Sequence, residues 1–95
     1  MAIKVIIERR IQKGKDAELA ALMRETRAKA MLAKGYISGE TLRAHDDSSL
    51  YVIISTWKSL EEWNVWARSP ERTEIMNKME ILLEGRSTVR VFDFA

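Results

Sequence analysis

Cysteine is absent from this 95-residue chain. A disulfide framework, a thiolate nucleophile and a thiolate metal site are therefore excluded together, and the fold must hold by burial alone. Histidine occurs once, so no pair of imidazoles is available for zinc. No glycine-rich phosphate loop and no nucleophile elbow occurs either, and serine proteolysis, zinc hydrolysis and nucleotide transfer lack their parts. His45 stands beside Asp46 and Asp47, but consecutive residues of a tight turn cannot all converge on one ion, so the expectation is a solvated turn and no metal. No apolar run approaches the ~18 residues of a membrane span, and the N-terminus lacks the long apolar stretch of a signal peptide. A cytoplasmic protein with no membrane partner is the expectation. Charge of one sign is also lacking. Sixteen Lys and Arg against fourteen Asp and Glu leave a net +2, interspersed along the chain, with no basic stripe for nucleic acid.

What is present is an ordinary globular composition, 46% hydrophobic and 32% charged, at a length that admits one domain over 1–95. Residues 3 to 11 form a β-branched run with Ile3, Val5, Ile7 and Ile11 on one alternating face and Ile6 on the other. Asp16 through Ala33 carries Leu19, Leu22, Met23, Thr26, Ala30 and Ala33 at helical spacing, with Gly35 placed as a C-terminal stop. Tyr36–Ala44 and Leu50–Lys58 read as a hairpin across the polar turn at 45–49. Its second strand is apolar on both faces, and its first is broken by Gly39. Ser59 opens a short helix to about Arg68, with Glu62 as its capping-box partner. Ser69-Pro70 restarts the helix, whose buried stripe is Ile75, Met76, Met79, Leu82 and Leu83, until Gly85 stops it. Thr88–Phe94 closes the chain as a strand.

Strand, helix, two strands, helix pair, strand is the order of an α+β, ferredoxin-like βαββαβ unit. Its four-stranded antiparallel sheet places the first and third strands in the middle, and those are the two most apolar strands here. The helices can cover one face only. Tyr51, Ile53 and Trp57 share a strand face opposite Val52 and Ile54, so the uncovered face also carries large apolar groups. A second copy of the chain is the economical cover, and homodimerisation through sheet faces is expected.

Three tryptophans fall within ten residues: Trp57, Trp63 and Trp66. On a helix, positions 63 and 66 lie about 60° apart, so with Leu60 and Ala67 they form one wide apolar face. Core packing is one reading. The other is a pocket wall for a flat ligand, because a buried indole N–H needs a partner. Met23, Met76 and Met79 face inward on the long helices and would give such a pocket an adaptable lining. The charged strand residues, Glu8 and Arg9, Glu40 and Arg43, Arg90 and Asp93, are expected to be solvated or paired across strands.

Thr56-Trp57-Lys58-Ser59, followed by Leu-Glu-Glu-Trp-Asn-Val-Trp66-Ala-Arg-Ser69-Pro70, resembles the signature of the antibiotic biosynthesis monooxygenase family. That signature has an aromatic ending strand three, then an aromatic or His three residues before Ser-Pro. The resemblance implies a dimeric α+β barrel, and a family that includes cofactor-free oxygenases of polycyclic phenols, quinol oxygenases and haem-degrading enzymes. Where the haem-degrading branch keeps an Asn on strand one and a His on the later helix, this chain has Ile7 and Met76, so no imidazole remains to hold iron. By resemblance, Trp66 is the catalytic candidate, as pocket wall and indole donor. Tyr36 and Asn64 are secondary candidates for binding a small aromatic substrate, beside the apolar lining of Ile7, Met23, Met76 and Met79. The expectation is a monooxygenase without cofactor. A non-catalytic or stress-related small-molecule-binding dimer is the alternative, and an isomerase or decarboxylase on the same scaffold stays open by analogy of fold.

Overall fold

Alternation and capping set the elements. In the computed structural model, which describes residues 1–95, they run β1 (Ile3–Arg10), α1 (Asp16–Ala30), β2 (Tyr36–Arg43), β3 (Leu50–Trp57), α2 (Leu60–Ala67), α3 (Pro70–Glu80) and β4 (Thr88–Asp93). The strands form one antiparallel sheet in the order β2-β3-β1-β4. The two most apolar strands therefore sit in the middle, in the ferredoxin-like α+β arrangement.

Register decides which side chains meet the helices. Ile3, Val5, Ile7 and Arg9 pair with Trp57, Ser55, Ile53 and Tyr51, and side chains of directly opposed residues share a face. This inner face divides into two buried clusters. At one end Ile3, Val5, Ile7 and Trp57 pack with Ala30 of α1 and with Trp63 and Trp66 of α2. At the other, Ile11 and Tyr51 pack with Leu19 of α1, Ile75 and Met79 of α3, and Leu82 and Leu83 beyond it. Each helix residue buried in these clusters packs against this one face, so the opposite face has no helical cover.

The helices end earlier than their apolar stripes. α1 stops at Ala30 rather than Ala33, with Met31 as its C-cap, and a turn carries the chain to Gly35 at φ 91°. α3 stops at Glu80. Leu82 and Leu83 are buried, but from a turn in which Leu83 bridges to Ile11. Burial, not helical hydrogen bonding, explains their spacing. Both serine caps form: Ser59 Oγ accepts from the Glu62 N–H and Ser69 Oγ from the Arg72 N–H. The reciprocal half of the capping box does not. The Glu62 carboxylate lies over Gly35 instead, where a Cβ would collide with it, and its Oε2 has no partner.

On the outer face, Ile6 pairs with Ile54 between Val52, Leu42 and Phe92. Leu42 is 48% and Phe92 42% exposed. The chain as a whole exposes 6384 Å², against roughly 5,600 Å² for a compact monomer of this mass. No helix is long and apolar enough to cross a membrane.

Candidate functional site

The aromatic end of the inner face is assembled from three elements. β3 ends in Trp57, which is 1% exposed, and the Ser59 cap then turns α2 back so that Trp63 and Trp66 face the sheet. Trp66 stacks on Trp57 at 6.4 Å and 22°, while Trp63 meets it edge-on at 5.6 Å and 63°. Tyr36, at the start of β2, adds a second edge at 5.4 Å and 89°. Gly39 makes room for that ring, because a Cβ there would stand 2.5 Å from the Tyr36 hydroxyl. The Trp57 indole donates to Ser55 Oγ at 3.0 Å, whereas the indoles of Trp63 and Trp66 make no hydrogen bond within the chain.

Four rigid rings do not close on one another, and a cleft of about 560 Å³, mouth included, opens beside them between the sheet and α1. It is a slot: its solvent-fillable part is about 60 Å³, so a flat ligand must displace flexible lining such as Met23. Ile7, Met23, Tyr36 and Trp66 all line it, together with Trp57, Trp63, Arg9 and Arg72. Asn64 does not reach it. It stands about 100° around α2 from Trp63 and about 160° from Trp66, so it points away from the indole face, and its backbone carbonyl accepts from the Arg68 N–H. Met76 and Met79 belong to a second, wider cleft of about 720 Å³ on the β4 side, whose solvent-fillable part is about 290 Å³. Met79 is 1% exposed and serves the aliphatic cluster, and Met76 Sδ accepts from Arg9 Nη2 at 3.2 Å.

Arg9 lines both clefts and is the one charged residue in the buried set, at 3% exposure. Its Nε has no partner, and it forms no salt bridge. Burial, and then the neighbouring positive charge of Arg72, lower its pKa well below the usual guanidinium range, to about 10. Burial also lowers that of Arg72, whose guanidinium lies 5.3 Å from the centre of the Trp63 ring. Glu40 is the only carboxylate lining the aromatic cleft, and no histidine does. His45 is exposed in the hairpin turn, and nowhere do three His, Asp or Glu residues gather for a metal.

Residues 2–78 match the sequence profile of the antibiotic biosynthesis monooxygenase family. The chain belongs to that family. Its fold is similar to that of a conserved protein from Methanosarcina mazei Go1, at a TM-score of 0.92 and 16% identity over 97% of this chain and 91% of the other. It is also similar to that of SnoaB, a cofactor-independent oxygenase from Streptomyces nogalater, at a TM-score of 0.89 and 18% identity over 99% of this chain and 93% of the other. Protein SchA of Streptomyces halstedii is 24% identical over 88 residues, 93% of this chain. The chain spans only 23% of SchA's length. At such identities the structural likenesses establish the shared fold.

Within this family member, Arg9, expected to be solvated or paired across strands, is instead buried and without a salt bridge, and Arg72 is a lining residue that sequence reasoning passed over; both carried a signal. Arg9 falls in the same alternation phase as Ile7 and Ile11, and Arg72 stands three, four and seven residues before Ile75, Met76 and Met79. Each is a cation at an inward position.

Proposed function

We propose that this chain is a cofactor-independent monooxygenase acting on an aromatic or quinol-type small molecule held in the slot between sheet and helices. The observation that carries the reading is the slot itself: an unfilled space walled by Tyr36, Trp57, Trp63 and Trp66, matched to planar rings by stacking and edge contacts. Family membership and the likeness to a cofactor-independent oxygenase support the reaction class.

Such a reaction takes its electrons from the substrate. An ionised phenol or anthrone-type enol transfers an electron to O₂, the radical pair combines at carbon, and the hydroperoxide loses water to leave a carbonyl. A CH₂ becomes C=O, and the second oxygen atom departs as water. The protein's part is to hold the anionic substrate, exclude bulk water and leave space for O₂. In this scheme Trp66 is wall and indole donor. Ile7, Met23 and Tyr36 shape the slot, while Asn64, Met76 and Met79 lie outside it.

Oxygen uptake with a panel of naphthols, anthrones and quinols tests the proposal. Stoichiometric uptake, with one ¹⁸O atom from ¹⁸O₂ in the quinone product, is expected. Tight binding with no uptake across the panel would favour a non-catalytic binding protein, a reading supported by the absence of any imidazole from the slot. The bare outer face, with its apolar centre at Ile6, Val52 and Ile54, supports assembly as a homodimer through sheet faces. Sedimentation should find a dimer at micromolar concentration, and Ile54→Lys should dissociate it.

A further inference from the structure

Arg9 is a buried cation and Arg72 a half-buried one beside it, both bordering the two clefts, with no carboxylate paired to either. Burying an unpaired cation is unfavourable, and a second cation beside it adds repulsion. The polar neighbourhood does not offset this. Arg9 has a thioether as its sole side-chain acceptor, its Nε is without any acceptor, and Arg72 lies against an indole face. The other charged lining residues are Arg27 and Glu40 in the aromatic slot and Glu80 and Arg86 in the second cleft; these balance one another, so the pair itself is the excess of positive charge. By contrast, the exposed arginines Arg10 and Arg43 are bridged to Asp47 and Asp16.

We propose that Arg9 and Arg72 together form an oxyanion-binding subsite, and that the slot selects aromatic ligands bearing an ionised oxygen, either a phenolate or enolate or a ring carboxylate. The ring lies among the indoles and the charged oxygen meets the two guanidinium groups, whose planar donor forks suit an oxygen anion. The inference rests on the slot being the substrate site, and it supplies what the proposed oxygenation lacks. With no histidine at hand, the positive pair holds the substrate in its ionised form, so that no strong base is required.

Binding measured by calorimetry, without turnover, tests it on the intact protein. The probes are 2-naphthoate, its uncharged isostere 2-naphthamide, and 2-naphthol, whose ionisation when bound is followed by absorbance. We expect the naphthoate to bind at least tenfold tighter than the naphthamide, or the bound naphthol to ionise at least one pH unit lower than in water. The first result identifies a carboxylate as the preferred anion and the second an ionised hydroxyl. Arg72→Met and Arg9→Met should each reduce that preference at least tenfold while leaving naphthamide affinity within threefold. Arg9→Met should also raise or preserve the unfolding midpoint, since it removes an unpaired buried cation, and the half-buried Arg72 gives an independent variant. Equal binding of acid and amide with an unshifted naphthol would overturn the subsite, as would a preference untouched by both substitutions. Oxygen uptake is a separate readout. Anion preference without uptake sinks the monooxygenase and leaves the subsite standing, and uptake without anion preference does the reverse.

Discussion

The two ends of the helix-facing side of the sheet bury seven residues each and reach different results. The end built from Ile11, Leu19, Ile75, Met79, Leu82 and Leu83 is largely aliphatic. Branched and flexible side chains pack there, and the cleft that Met76, Met79 and Leu83 border on the β4 side has no aromatic wall. At the other end Trp57, Trp63 and Trp66 meet with Tyr36 at edge-on and offset angles. Rigid rings with two torsions each cannot fold into the gaps they leave. A slot is what remains, and Arg9 marks the boundary between the two regimes. The lesson is that the site arises from the shape of the packing residues as much as from any polar group.

The comparison breaks most directly at Trp57. Trp57→Ala should cost about 3–5 kcal/mol in urea unfolding and abolish binding in the slot, because three rings lose their common neighbour. Leu19→Ala at the aliphatic end should cost about 2–5 kcal/mol yet leave ligand affinity nearly unchanged below the unfolding transition. If Leu19→Ala weakened binding as much as Trp57→Ala, the two ends would not be functionally distinct. A smaller and more selective effect is expected of Trp66→Phe, which keeps an aromatic wall but removes the indole N–H. Turnover should fall several-fold with a modest change in stability, and unchanged turnover would take the N–H out of the mechanism.

Gly39→Ala sharpens the contrast further. The added methyl must push the Tyr36 ring, whose hydroxyl is the nearest atom, so ligand affinity should weaken several-fold while the thermal midpoint moves little. The smallest effect belongs to the aliphatic end's exposed rim, where Asp47 accepts from Ser49 and from Arg10. Hydrogen bonds from Ser49 and then from Arg10 hold its pKa down, from 3.8 to about 2. The folded-state pKa is depressed, so this contribution is complete above about pH 4 and is lost as pH falls through about 2. Acid titration of stability for Asp47→Asn should lose that slope between pH 4 and 2, while slot binding at neutral pH stays the same.

Much of this was legible along the chain. The β1 alternation of Ile3, Val5 and Ile7, the polar turn at 45–49, and the Ser59 and Ser69-Pro70 starts all depend on neighbours within four residues, and all appear where expected. Helix ends were less legible, since Leu82 and Leu83 keep an apolar spacing while packing from a turn. Glu62 was read as a cap partner because its distance from Ser59 suits one, but the close approach of Gly35 gives its carboxylate another place to lie. Among the candidate site residues, Trp66, Tyr36, Met23 and Ile7 meet at one slot. Met76 and Met79 lie on the same inward stripe but beyond Arg9, where they border a different cleft.

The sequence by itself determined the element order, the alternating faces of β1 and β3, the apolar stripes of the helices, and family membership, because periodicity and motif spacing are properties of the chain read in one dimension. Only the tertiary structure decided that Arg9 of β1 and Arg72 of α3 stand together without a carboxylate, and that the indoles leave a hollow beside them. Charge pairing and empty volume belong to several elements at once, and both are set when α1, α2 and α3 settle on one face of the sheet.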